Sequence, residues 1–83
     1  LMINNEITIL IVTYKSDDII LKNLQNLRNF NIIIVDNYKD SNLNSKIHRY
    51  LYWQHLHPAP LTALDTPATL PVHLLLEVLK RIL

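Results

Sequence analysis

Ile7-Thr8-Ile9-Leu10-Ile11-Val12 is a β-branched, nearly unbroken apolar run that ends at the polar group Thr13-Tyr14-Lys15-Ser16. A run this short, without strict alternation, predicts a strand covered on both faces, as in a parallel sheet. Ser16 stands where a hydroxyl caps a first helical turn, and Asp17 and Asp18 bring negative charge to the positive end of the helix dipole. Ile20, Leu24 and Leu27 recur at i, i+4 and i+7, so the helix presents one apolar stripe while Lys22, Gln25, Asn26 and Arg28 turn elsewhere. A second apolar run, Ile32-Ile33-Ile34-Val35, stops at Asp36-Asn37. Strand, helix and strand in this order predict a βαβ unit with a right-handed crossover. Ligands of such sheets bind outside the carboxyl ends of the strands, where Thr13-Tyr14 and Asp36-Asn37 both fall.

Downstream, Ser41 or Asn42 caps a second expected helix, whose stripe is Leu43, Ile47, Tyr50 and Leu51 and which Pro58 bounds. Residues 58–70 carry three prolines and read as a connector with at most one short helical turn. Pro71 suits the first turn of a last helix. There Val72, Leu75, Leu76, Leu79 and Leu83 form a stripe that Leu74, Val78 and Ile82 broaden, opposite His73, Glu77, Lys80 and Arg81. So broad an apolar face calls for a cover: the domain itself, a second copy, or lipid. Only two cations flank it, which favours intrachain packing or self-association. The expected fold is α/β: a Rossmann-like βαβ unit with parallel strands, followed by two helices. Residues 1–57 form the nucleotide-binding-like unit, 58–70 the connector and 71–83 the amphipathic helix, in one domain.

Composition narrows the function. Eighty-three residues hold one core, and no apolar run approaches the roughly 18 residues of a membrane span. Eight basic and seven acidic side chains leave a net charge of +1, so Tyr50, Tyr52 and Trp53 beside Lys46 and Arg49 make no expected nucleic-acid surface. The absence of cysteine removes disulfides and thiolates and, with no basic-then-apolar leader, suits the cytoplasm. The absence of glycine excludes a Gly-rich phosphate cradle. His48, His55 and His57 lack carboxylate companions between 41 and 64, so no metal site is expected. Ser16, Ser41 and Ser45 sit in no nucleophile signature. Residues 1–47 hold ten isoleucines and all nine asparagines, whereas 48–83 hold one isoleucine and all four prolines. This break marks either a boundary within one small domain or a spliced or frame-shifted end.

The strand ends carry a family resemblance. Ile7 to Ser16, with the Val12-Thr13-Tyr14 strand end, followed by a helix and by Ile32-Ile33-Ile34-Val35-Asp36-Asn37, resembles the start of the family 2 glycosyltransferases of GT-A fold over about residues 6–40. The resemblance implies that these strand ends wall the nucleotide of a diphosphate-sugar donor. Thr13 and Tyr14 would flank the base and Asp36 would accept a hydrogen bond from base or ribose, with Asp18 and Asp40 as further candidates. The alternative for these residues is structural: Tyr14 packs on the helix and Asp36 caps the following turn. Where the family has Gly-Ser and then Asp, this chain has Tyr38-Lys39-Asp40-Ser41, and Asp40 lies one residue short of the family's acidic position. The family's divalent metal rests on an Asp-x-Asp motif that does not occur in this sequence, and its general base lies later than these residues extend. The resemblance therefore implies a truncated donor-nucleotide region, with no catalytic residue, metal or other cofactor of its own. The other function class in view is a non-catalytic protein that associates through its last helix.

Overall fold

The computed structural model describes residues 4–54 and 60–82. Three parallel strands, β1 (Asn4–Thr13), β2 (Phe30–Asp36) and β3 (Leu61–Asp65), form one sheet in the order β1-β2-β3. Helices α1 (Asp17–Leu24), α2 (Leu43–Gln54) and α3 (Val72–Ile82) follow the strands in turn. Registers align Ile11, Ile34 and Ala63 in one row and Thr13, Asp36 and Asp65 in the row at the carboxyl edge.

Alternation along β2 turns Ile32, Ile34 and Asp36 to one face of the sheet. Ile20 and Leu24 from α1 and Leu43 and Ile47 from α2 are buried there with Ile32 and Ile34. Both helices therefore cover the same face, and the two crossovers share one hand because each strand is added on the same side of the last. Leu27, Tyr50 and Leu51 complete the expected stripes as half-buried neighbours of this core. The first helix tightens into a 3₁₀ turn at Gln25–Leu27.

Burial of β1 departs from expectation. Ile7 is 49% and Val12 42% exposed, because β1 has one neighbour and lies at the sheet's edge, whereas central β2 buries Ile32, Ile34 and Val35 completely. The helix caps also differ in detail. Ser16 precedes α1, but its hydroxyl donates back to the Tyr14 carbonyl at 3.0 Å and makes no cap bond. At α2 the cap is Ser41, whose Oγ accepts from Leu43 N–H at 3.0 Å, while Asn42 contributes its backbone carbonyl, which accepts the first helical bond from Lys46 N–H at 3.1 Å.

The largest correction lies in the expected connector, which contains β3. Its prolines flank the strand instead of interrupting it, and Pro60 needs no N–H there because its carbonyl takes the ladder bond from Ile32 N–H at 3.0 Å. Because β3 pairs with β2, sequence on both sides of the composition break builds one sheet. A third strand also strengthens what two parallel strands alone hold weakly. Pro71 opens α3, its carbonyl accepting from Leu75 N–H at 3.0 Å. Along α3, Leu75, Val78, Leu79 and Ile82 are half-buried, while Val72, Leu74 and Leu76 are exposed. The covered side is thus rotated from the expected stripe, and Leu83 lies outside the described residues, as do His55, His57 and Pro58. The side chains of Tyr52 and Trp53 lie outside them too.

Candidate functional site

The face that is apolar through two rows of the sheet turns polar at the third. Thr13 and Asp36 are 4% and 2% exposed, and the Thr13 hydroxyl donates to Asp36 Oδ1 at 3.3 Å. Tyr38 N–H donates to the same oxygen at 3.3 Å, so Asp36 caps the turn after β2, as the structural alternative held. Its second oxygen, Oδ2, is buried and has no partner among the described residues. Leaving a carboxylate oxygen so is costly in a folded interior. Asp65, beside Asp36 in register, has its carboxyl pushed above the usual value of 3.8, first by desolvation and then by the Asp36 charge.

Asn37 serves a different purpose from its neighbour. Its side chain donates to the Leu70 carbonyl at 3.0 Å and accepts from Leu70 N–H at 2.9 Å, copying a strand's pairing with a single amide group. Lys39 N–H donates to Thr69 Oγ1 at 3.3 Å, and the Thr66 hydroxyl donates to the Ala68 carbonyl at 2.8 Å. The link from β3 to α3 is thereby tied across the end of β2.

On the outer side of this edge, Tyr14 and Tyr38 meet edge to face, ring centroids 5.6 Å apart. Tyr14 therefore packs on a second tyrosine. Lys15 Nζ lies over both rings, 5.4 Å from the Tyr14 centroid and 4.9 Å from that of Tyr38. Lys15 holds φ of 52°, a left-handed turn that glycine would take most cheaply in a chain that has none.

A cleft of about 420 Å³ opens between the starts of α1 and α2, walled by Lys15, Asp17, Asp18, Tyr38, Asp40 and Lys46 among others. Lys46 Nζ pairs with Asp17 Oδ2 at 2.8 Å, joining the two helices; the hydrogen bond to Asp17 raises the lysine's pKa above 10.5. Of the site residues expected from sequence, Asp18 and Asp40 stand in this cleft. Thr13 and Asp36 are buried together apart from its wall, and Tyr14 stands behind the wall residues Lys15 and Tyr38. Tyr38 and Lys15 are the residues that sequence reasoning left out. The signal for Tyr38 was its place just beyond β2, matching Tyr14 just beyond β1 on the adjacent parallel strand.

No three His, Cys, Asp or Glu side chains converge among the described residues as a group able to hold a metal. No helix among them is long and apolar enough to cross a membrane. Fold and edge together define a class, a three-stranded parallel α/β unit with an aromatic and acidic cleft at its carboxyl edge. No protein-family model, curated protein or solved structure matches this chain.

Proposed function

We propose that this chain is the donor-nucleotide half-site of a glycosyltransferase-like protein, binding the nucleoside end of a diphosphate sugar without transferring the sugar itself. The observation that carries this reading is the parallel pairing of β1 with β2, which sets Tyr14 against Tyr38 beside a cleft holding Asp18 and Asp40. An aromatic edge suits a planar base, and carboxylates accept from ribose hydroxyls or a base N–H. Asp36, with Oδ1 engaged and Oδ2 buried, positions the Tyr38 turn; direct contact with ligand requires that turn to open. An NMR titration with uridine diphosphate tests the reading. Shifts centred on Tyr14, Asp18, Tyr38 and Asp40 are expected; shifts nowhere, or confined to α3, would sink it.

A second reading has one observation in its favour, the exposure of Val72, Leu74 and Leu76 on α3. In that reading the chain is non-catalytic and associates through this helix, where Leu75 and Leu79 of the expected stripe are already half-buried. Its test is mass against concentration: a dimer that Leu76→Glu dissolves supports it, and a monomer at every concentration removes it.

A further inference from the structure

We infer that Lys15 reads the phosphate of the bound nucleotide, a role that rests on the nucleotide reading above and adds the charge of the ligand to it. Two cations stand in the cleft wall, Lys15 and Lys46. Lys46 is committed to Asp17 at 2.8 Å, whereas Lys15 has no carboxylate partner among the described residues and is held only by the two tyrosine rings. A charge-assisted hydrogen bond to phosphate outweighs a surface cation–π contact, so an anion arriving here draws the ammonium to itself.

The backbone supports the same role. A lysine at φ 52° is strained where asparagine or glycine would not be, and such strain persists where the surrounding structure over-determines it, most often at binding sites. The turn, closed by the Ser16 hydroxyl on the Tyr14 carbonyl, is what carries Nζ between the rings. Asp18 and Asp40, neither with an ion pair among the described residues, repel phosphate from their part of the cleft. The ligand's hydroxyls therefore go toward the carboxylates and its phosphates toward Lys15.

The test is an NMR titration of the full chain with uridine, uridine diphosphate and inorganic pyrophosphate, following the Lys15 side-chain signals. Uridine diphosphate and pyrophosphate are expected to move them further than uridine, which reaches only the rings beneath Lys15. Lys15→Met should lower the ratio of diphosphate to nucleoside affinity roughly tenfold, and Lys15→Arg should restore most of it. An unchanged ratio in Lys15→Met overturns the phosphate role and leaves the nucleoside site standing. Lys15 signals that move with pyrophosphate, in a chain that ignores uridine, overturn the nucleoside site and leave the phosphate role standing.

Discussion

Helices α2 and α3 are of nearly equal length, 12 and 11 residues, and both are amphipathic, yet one is built into the core and the other is not. Leu43 and Ile47 of α2 are fully buried in one cluster with Ile20 and Leu24 of α1 and Ile32 and Ile34 of β2, with Leu61 and Ala63 of β3 packed against it, so helix and sheet cover them at once. No residue of α3 is fully buried, although seven of its eleven residues are apolar. A stripe that wraps most of a helix exceeds what one neighbouring surface can cover. Amphipathic periodicity makes a helix worth forming, but burial depends on how many partners surround the place where it lands.

Substitutions can break that contrast. Ile47→Ala should destabilise by about 2–5 kcal/mol, the range for truncating a buried aliphatic side chain, a large share of what a small domain possesses. Leu76→Ala on α3 should stay within about 0.5 kcal/mol. Urea unfolding of the two variants measures the difference, and equal losses would show that α3 is packed as tightly as α2. Next in size is Thr13→Val, which keeps the shape and removes the donor to Asp36 Oδ1. A loss of about 1 kcal/mol is expected, and no loss would mean that the Tyr38 N–H alone satisfies that oxygen.

Smaller effects follow from charge. The Asp65 carboxyl titrates higher in the folded chain than the usual 3.8, so the folded state binds the extra proton in that window. Stability then falls as pH rises from 3.8 through the raised value, and the penalty persists above it. Asp65→Asn should remove this fall, and Asp36→Asn should reduce it by withdrawing the neighbouring charge; melts between pH 3 and 7 check both. A profile that Asp65→Asn leaves unaltered would assign the fall to other groups. The least effect belongs to the half-buried Lys46–Asp17 pair. Its contribution is present below pH 10.5 and is lost as pH rises through the raised lysine value. Lys46→Met should therefore weaken the fold slightly, and less in 1 M salt, where the screening length shortens to about 3 Å, than at low salt.

Local order made much of this molecule legible from its residues. The continuous runs 7–12 and 32–35, the i, i+4 stripes at Ile20/Leu24 and Leu43/Ile47, and the polar breaks after Val12 and Val35 define strands, helices and the parallel pair, because each signal lies within one short segment. Other features were set by tertiary neighbours. β3 is five residues between prolines with little periodicity, and it becomes a strand because β2 offers it a free edge. The side of α3 that is covered, the exposure of Ile7 and Val12, and Asn37 serving Leu70 instead of a ligand all depend on which element lies alongside. The candidate site divides the same way. Asp18 in the first turn of α1 and Asp40 in the turn before α2 are polar residues plain in the chain, whereas Tyr14 meeting Tyr38 with Lys15 over both rings needs residues 24 positions apart brought into contact, and pairing between strands alone does that.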